Sequence, residues 1–446
     1  MSELRRYPEY KDSGVPWLGE IPSHWEAKRM RFFVNTNPLK SELGIQEGLL
    51  VSFVPMESVA VDGGLTLTTD KEISDVYKGY TYFRNDDVVM AKITPCFENG
   101  KASICNNLTN DIGFGTTELH VLRPKEETSS RFLFYLIRSD VFMKIGESEM
   151  YGAGGQKRVP ESFIKNFVAP LPDIDEQQAI VNFLDDKLNH IDTLISKQQQ
   201  LIEKLAEQRS AVITHAVTKG LNPDVPMKDS GVEWLGEIPE HWDSFKITHL
   251  VETIGSGTTP KSSNSNYYAD EGTLWVTTSE LRESVIADTK KKLTEDALQD
   301  YSTLKVFPIN SVAIAMYGAT IGRLGILGEE ATFNQACCVY SESEKIHYKF
   351  LYYWLWYRRP ILISLSNGGG QPNLNQDDLR KLVIPIPAIK EQEEIVNYLD
   401  NKTQKIDKMS EATTDIITKL QEYRAALITQ AVTGKIDVRY LNQQAS

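Results

Sequence analysis

Two glycine-rich loops carry the side chains best suited to contact nucleic acid. The first is YGAGGQKRV (151–159), and the second, GGGQPNLN (368–375), repeats its Gly-Gln step 215 residues later. Glycine lets a backbone approach phosphates closely, Lys and Arg neutralise them, and Gln or Asn amides can pair with base edges. The alternative is a plain turn before a helix N-terminus. The candidates for DNA contact are Gln156, Lys157, Arg158, Gln371 and Asn373.

A weaker pair of signals lies earlier in each half of the chain. FENGKASI (97–104) and ATIGRLGIL (319–327) both place a basic residue after glycine, which makes Lys101 and Arg323 candidates for phosphate contact. The sequence contains no GxxxxGK[ST] nucleotide loop, no HExxH zinc motif and no GxSxG elbow. We therefore expect no catalytic, cofactor or metal site in this chain.

The overall charge argues against nucleic acid unless the basic residues gather on one face. The 446 residues hold 48 basic and 61 acidic side chains, a net charge of −13. The four cysteines form no CxxC pair, which disfavours a zinc site or a disulfide framework and fits a reducing cytoplasm. No apolar run is long enough to cross a membrane, and the N-terminal segment lacks the apolar core of a signal peptide.

Two long helices must position these loops. Residues 173–219 contain no Pro or Gly and carry an apolar stripe at helical spacing, with Pro172 before the stripe and Gly220 after it. Residues 390–433 repeat this stretch at an offset of 215. Because a long helix with one apolar stripe needs a partner, the repeat predicts an antiparallel intramolecular coiled coil with pseudo-two-fold symmetry.

A second repeat implies a duplicated domain. KDSGVPWLGEIPSHW (11–25) returns as KDSGVEWLGEIPEHW (228–242). The tryptophans could stack on bases, but tryptophans beside Gly and Pro are more typical of a loop pinned to a core. The predicted boundaries are 1–172 and 221–387 for two recognition domains, 173–220 and 388–435 for the helices, and 436–446 for a tail.

Each domain mixes strands and helices. In the first, 49–56, 87–93 and 117–124 are predicted strands and 131–146 is a predicted helix ending at Gly146. The second follows the same order through 273–281, 311–318, 333–340 and 348–365, with the Tyr/Trp cluster 352–357 in its core. The predicted fold class is α/β (α+β), with two tandem mixed domains joined by the coiled coil.

These landmarks together resemble the specificity (S) subunit of type I restriction–modification systems. The resemblance rests on both copies of KDSGVxWLGEIPxHW, on the Gly/Gln loop, on PLPDIDEQ and PIPAIKEQ, and on IVNFLD…ID and AVITHAVTKG. It implies a non-catalytic subunit in which two target-recognition domains each read one half of an asymmetric, split site in double-stranded DNA. It also implies that the helices set the gap between the half-sites.

The resemblance further implies partners that hold the chemistry. Two methyltransferase subunits would dock on the helices and use S-adenosylmethionine, and motor-nuclease subunits would use ATP and Mg²⁺. Apolar residues near the start of each helix suggest docking positions, namely Ile180, Phe183, Ile395 and Tyr398. Two other classes stay open, an enzyme with fused recognition domains and a coiled-coil adaptor without DNA binding.

Overall fold

The computed structural model describes residues 5–43, 48–153, 155–364 and 373–440. The chain divides into two compact units. Unit 1 comprises residues 1–199 and 415–446, and unit 2 comprises residues 200–414. Each unit therefore contains a mixed α/β domain together with part of both long helices.

Unit 1 is built on two four-stranded sheets with short helices packed against them. Its strands are Tyr10–Asp12 (β1), Glu20–Pro22 (β2), Glu26–Arg29 (β3), Val34–Thr36 (β4), Leu50–Val54 (β5), Asp70–Glu72 (β6), Thr81–Arg84 (β7), Val88–Ala91 (β8), Ala102–Ile104 (β9), Ile112–Gly115 (β10), Leu119–Pro124 (β11) and Val168–Leu171 (β12). Its short helices are Ile73–Val76 (α1), Ser130–Ile137 (α2), Asp140–Ser148 (α3) and Glu161–Asn166 (α4). The sheet orders are β6-β5-β10-β7 and β4-β11-β8-β9, with β5 and β10 parallel.

The first long helix, Ile174–Lys219 (α5), starts in unit 1 and ends in unit 2. The strands of unit 2 are Met227–Asp229 (β13), Glu237–Pro239 (β14), Asp243–Lys246 (β15), Ile254–Gly255 (β16), Tyr268–Ala269 (β17), Thr273–Val276 (β18), Val285–Ile286 (β19), Lys292–Leu293 (β20), Val312–Ala315 (β21), Leu324–Leu327 (β22), Ala331–Phe333 (β23), Cys337–Tyr340 (β24) and Val383–Ile386 (β25). Its other helices are Glu295–Asp300 (α6), Tyr348–Ser364 (α7), Gln376–Arg380 (α8) and the second long helix, Ile389–Val432 (α9), which ends in unit 1.

The two units share a framework and differ in what is added to it. Strands β4-β11-β8-β9 of unit 1 correspond to β16-β24-β21-β22 of unit 2, which is extended by β19. The parallel pair β5–β10 corresponds to β18–β23. Around that pair, unit 1 places β6 and β7, whereas unit 2 places β17 and β20. The duplicated α/β architecture predicted from the sequence is confirmed.

The long helices pack antiparallel inside each unit. In unit 1, Leu184, Leu188 and Ile191 near the start of α5 share one core with Leu427 and Ile428 near the end of α9. The left-handed backbone needed after the last turn is supplied by glycine, with φ +74° at Gly220 and φ +70° at Gly434. The predicted helices and their antiparallel pairing are confirmed.

Two ion pairs repeat along this helix pair, one in each unit. Arg424 Nε lies 3.0 Å from Asp192 Oδ1, and Arg209 Nε lies 3.2 Å from Asp407 Oδ1. Asp192 and Asp407 are repeat counterparts, as are Arg209 and Arg424, so the same pair forms twice with the helices exchanged. Such exposed pairs contribute about 0–1 kcal/mol each. Their main effect is on register, because sliding one helix past the other separates both pairs.

The repeated Trp and Glu-Gln motifs tie the start of each long helix to its domain. Trp25 Nε1 donates to Glu176 Oε2 at 2.9 Å, and Trp242 Nε1 donates to Glu391 Oε1 at 3.1 Å. The next residue, Gln177, accepts from Ser129 N and donates to the carbonyls of Glu127 and Pro172, and Gln392 makes the corresponding set of bonds.

The tryptophans of the repeat are mainly structural. Trp25 and Trp242 are fully buried, which confirms the expectation that they pin a loop to the core. Trp17 is half-buried and stacks on Phe167 with ring centroids 4.9 Å apart, whereas Trp234 is more exposed. In the 352–357 cluster, Tyr352 to Leu355 are buried and the last two residues are half-buried.

The prediction of a single helix over residues 131–146 ending at Gly146 was wrong. The segment 131–146 forms two helices, because the Ser139 side chain accepts from Phe142 N and starts α3 anew. Gly146 lies inside α3 and does not end it. A Cβ atom at this position would come within 2.6 Å of the Phe97 ring, so close packing explains the glycine. The predicted strands 49–56, 87–93 and 117–124 are confirmed as β5, β8 and β11.

Candidate nucleic-acid interface

The first glycine-rich loop is held against the turn that follows β8. Val159 N donates to Lys92 O at 2.8 Å, and Thr94 N donates to Lys157 O at 3.0 Å. The loop also closes on itself, since Tyr151 and Arg158 exchange two backbone hydrogen bonds of 3.2 and 2.9 Å. Residues 92–101 and 151–159 therefore form one structural element at the end of β8.

Unit 2 repeats this arrangement with different side chains. Leu374 N donates to Met316 O at 2.9 Å, and Tyr317 pairs with Asn373 as Ile93 pairs with Arg158. The backbone carbonyl of Lys101 accepts from Ala91 N at 2.9 Å, and that of Arg323 accepts from Ala315 N at 2.8 Å. Because Ala91 ends β8 and Ala315 ends β21, Lys101 and Arg323 occupy equivalent positions. Gln371 lies outside the described residues. Arg158 and Asn373 thus fall at equivalent places in the two domains, as do Lys101 and Arg323.

Two glycines allow the first loop to turn as it does. Gly152 has φ +142°, and a Cβ atom there would lie 2.6 Å from the carbonyl oxygen of Gln156. Gly155 has φ +75° and faces open space. Any larger residue at Gly152 would strain the turn or push the loop away from its anchor. The result is that Gln156 and Lys157 lie exposed at the tip.

The candidate cations differ in how they are engaged. Arg158 makes a two-pronged bond with Glu118, with Nε and Nη2 each 2.9 Å from a carboxylate oxygen. This bond raises the pKa of Arg158 and lowers the pKa of Glu118. Lys101 Nζ donates to Met56 O at 3.1 Å. These two contacts fix the loop and the turn, whereas Lys157 and Arg323 are exposed.

A buried histidine supports the anchored end of the first loop. His120 Nε2 donates to Val159 O at 2.9 Å, and its Nδ1 faces the Asn37 amide nitrogen at 3.3 Å. These partners indicate a neutral ring with its proton on Nε2. Burial lowers the pKa of His120, which favours that neutral form.

Two exposed tyrosines beside the loops were not among the sequence candidates. Tyr151 opens the first loop and is 68% exposed, and Tyr317 faces the second loop and is 40% exposed. An aromatic ring at such a place can stack on a base. Tyr151 and Tyr317 each precede a glycine, but they lie at different places in the repeat, since Tyr317 corresponds to Ile93.

The proposed docking positions need correction. Ile180, Phe183 and Ile395 are buried in the cores of their own units, with at most 5% exposure, so they do not form an exposed docking surface. Their side chains face the domain at the helix start, where the chain's own aromatic and aliphatic residues cover them. Tyr398, at 37% exposure, is the exception. Other large apolar residues exposed on the long helices are Ile174, Leu194, Leu201, Ile389, Met409, Ile416 and Tyr423.

The described residues contain no metal-binding cluster and no membrane-spanning helix. Over residues 5–43, 48–153, 155–364 and 373–440, no group of three or more His, Cys, Asp or Glu side chains is arranged to hold a metal ion. No helix within these same ranges combines the length and apolar character needed to cross a membrane.

Two similar α/β domains, each packed on antiparallel helices and each with anchored polar residues beside the turn after an equivalent strand (β8 or β21), define a class of duplicated two-domain protein. The family model of the type I restriction modification DNA specificity domain matches residues 54–204 and 239–419, one segment in each half of the chain. This chain belongs to that family.

Similar proteins carry the same description. The EcoAI specificity subunit of Escherichia coli is 37% identical over 244 residues, which cover 54% of this chain and 40% of that subunit. The EcoEI specificity subunit of Escherichia coli is 41% identical over 42% of this chain and 32% of its own length. The putative MjaX specificity subunit of Methanocaldococcus jannaschii is 24% identical and covers 95% of this chain and 96% of its own. The matches thus span less than half of the two Escherichia coli subunits.

Solved structures share the fold. A chain from a structure of the type I R-M system superposes with a TM-score of 0.75 at 17% identity, covering 93% of this chain and 99% of its own. The HsdS subunit of Thermoanaerobacter tengcongensis gives a TM-score of 0.57 at 17% identity, over 93% of this chain and 98% of its own.

Proposed function

We propose that this chain is the DNA-binding specificity subunit of a type I restriction–modification complex. The observation that carries the proposal is that the DNA specificity family model matches both halves of the chain. The equivalent loops support it, because each presents exposed amide, basic or aromatic groups on a rigidly anchored turn. Each domain reads one half of a bipartite site.

The two half-sites differ in sequence. The framework strands around β8 and β21 are common to both units, whereas the strands added beside the parallel pair are not. The loop residues also differ, with Arg158 in one unit and Asn373 at the equivalent position in the other. Because Glu118 holds Arg158, the first loop offers Gln156 and Lys157 to DNA, whereas the second offers the exposed Asn373, whose amide can pair with adenine.

The partners supply the chemistry. Methyltransferase subunits using S-adenosylmethionine dock on the long helices, whose exposed apolar side chains offer contact area, and motor-nuclease subunits using ATP and Mg²⁺ complete the complex. The chain itself contributes recognition and no catalysis. Its four free thiols are compatible with a reducing cytoplasm.

The test combines the purified chain with the methyltransferase subunit of its own system and with duplex DNA. We expect sequence-specific binding and methyl transfer in the mixture only. Methyl transfer by the isolated chain would identify an enzyme with fused recognition domains. Absence of DNA binding in both samples would favour a coiled-coil adaptor.

The loop of unit 1 can be tested by two neighbouring substitutions with different expected signatures. Gln156→Ala should weaken binding of the specific site by about 1–3 kcal/mol and relax one position of the motif, since an amide reads a base edge. Lys157→Ala should leave the motif unchanged and lower the slope of log K against log salt by about one, since it neutralises one phosphate. Fluorescence anisotropy at several salt concentrations measures both. If both variants bind DNA with the affinity and the salt slope of the wild type, the loop is a turn that does not contact DNA.

Docking on α9 can be tested at Tyr398. Replacing it by Asp places a charge where we propose an apolar contact, so the affinity for the methyltransferase subunit should fall at least tenfold. Gln404→Asp introduces the same charge at another exposed site on the helix and is the control. Light scattering of the mixed subunits measures assembly. Equal loss in both variants would point to charge alone, and no loss in either would place docking elsewhere.

A further inference from the structure

Unit 2 contains a cavity that neither the fold nor the proposed reading of DNA explains. It has a volume of about 550 Å³ and lies between α7, the turn after β21 and the segment around α8. Its polar lining consists of Tyr317, Arg358, Asn373, Asn375, Asp378 and Lys381. Most of this lining is able to donate hydrogen bonds.

Arg358 is the unusual member of this lining. It is only 4% exposed, and its Nε and Nη1 have no hydrogen-bond partner among the described residues. Its Cζ lies over the Trp234 ring, 3.4 Å from the ring centre. Burial lowers the pKa of Arg358. A buried cation with unpaired donors costs stability, and an anion bound in the adjoining cavity would offset that cost.

Unit 1 provides an internal comparison at the equivalent place. There Trp17 stacks on Phe167, and Phe163 and Phe142 complete a buried aromatic cluster. At the 215-residue offset, Phe163 and Phe167 correspond to Asp378 and Leu382. Unit 2 therefore replaces aromatic packing with a cavity that contains a charged side chain. Packing alone does not require this change, because unit 1 fills the same position with apolar rings.

The charged side chains and hydrogen-bond donors around the cavity determine which class of ligand it can bind. Arg358 and Lys381 are cationic and Asp378 is anionic, which leaves a net charge of +1. Asp378 Oδ1 lies 4.0 Å from Lys381 Nζ, and both side chains are largely exposed. Solvent therefore screens the charges of Asp378 and Lys381 more than the charge of Arg358. The side-chain oxygen Oδ1 of Asn375 accepts from Asp377 N at 2.9 Å, which leaves the side-chain NH2 group to donate. Planar guanidinium and converging donors suit an oxyanion of the phosphate class.

We propose that this cavity binds a phosphate group through the buried guanidinium of Arg358. The phosphate is either free in solution or part of the DNA backbone, because Tyr317 and Asn373 belong both to the cavity and to the second loop. Only the second source rests on the proposed function.

The experiment titrates inorganic phosphate into the full chain at constant ionic strength and follows binding by calorimetry. Wild type should bind, and Arg358→Met should bind at least tenfold more weakly. Arg359→Met is the matched control, because Arg359 is adjacent but its Nη1 pairs with Glu283 at 2.7 Å. Equal phosphate affinity in wild type and Arg358→Met, or no binding by wild type, overturns the proposal.

A melting experiment separates a ligand site from a purely structural role. Without phosphate, Arg358→Met should melt at a higher temperature than wild type, since Met removes an unpaired buried charge and keeps much of the volume. Phosphate should then raise the melting temperature of wild type but not of Arg358→Met. A lower melting temperature of Arg358→Met in phosphate-free buffer would show that Arg358 is a structural cation and would overturn the proposal.

Duplex DNA distinguishes the two sources of phosphate. If the ligand is a backbone phosphate, Arg358→Met lowers DNA affinity and reduces the salt slope by about one, and inorganic phosphate competes with DNA. If the ligand is a free anion, DNA binding is unchanged while phosphate binding is lost. Should the chain not bind DNA at all, the calorimetric result still decides the phosphate site.

Discussion

Inserting four residues into both long helices, between the two ion pairs, should lengthen the unread gap of the DNA site by one to two base pairs. Four residues add about 6 Å and turn a helix about 40° beyond a full revolution. DNA rises about 3.4 Å and turns about 34° per base pair, so the two changes correspond. Insertions after Gln199 in α5 and after Ile416 in α9 leave the ion pairs Asp192–Arg424 and Arg209–Asp407 each in register within its own unit. Sequencing of the methylated motif in cells carrying the variant and its partner subunits measures the gap.

The same four residues inserted into α5 alone are the control. One helix then advances by a turn against its partner, so at least one ion pair and the apolar seam around it are displaced. We expect lower stability and loss of methylation. A two-residue insertion in both helices rotates each stripe by about 200° and should also abolish packing. If the double four-residue variant keeps the original gap and full activity, helix length does not set the spacing of the half-sites. If the base sequence of either half-site changes, the helices also contact bases.

Glu176→Ala should destabilise unit 1 by about 3 kcal/mol. The carboxylate side chain is 4% exposed and accepts from Trp25 Nε1 and from His24 Nε2, at 2.9 and 2.8 Å. Truncation leaves the buried indole N–H without its acceptor and detaches the start of α5 from the domain. Hydrogen exchange followed by mass spectrometry should show faster exchange in unit 1 peptides.

Glu391→Ala is the matched variant in unit 2. Glu391 accepts from the equivalent Trp242 and His241, at 3.1 and 2.9 Å and through a different oxygen for each, but its side chain is 29% exposed. Water can therefore replace part of the lost bonding, and we expect a cost of about 1.5 kcal/mol confined to unit 2. If Glu176→Ala and Glu391→Ala lower stability by the same amount, burial of the carboxylate does not determine the loss. Normal exchange in both variants would show that these carboxylates do not secure the helices.

The sequence by itself determined the features that depend on local periodicity and on repetition. The long helices follow from stripes without Pro or Gly, and their ends follow from proline before and glycine after. The duplicated domains follow from motifs that recur at offsets of 215 to 217 residues. The resemblance to the specificity family rested on the same motifs, and the family model confirms it.

Only the tertiary structure decided which side chains are available for contact. Ile180 and Tyr398 have similar sequence settings, yet one is buried and the other exposed, because burial depends on the domain that packs against the helix start. Arg158 and Lys157 are adjacent, but the fold brings Glu118, forty residues away, to Arg158 and leaves Lys157 exposed. Arg358 directly follows the Tyr/Trp cluster 352–357, which predicts core. Its unpaired charge beside a cavity became visible only when Trp234 and α8, distant in sequence, were placed around it.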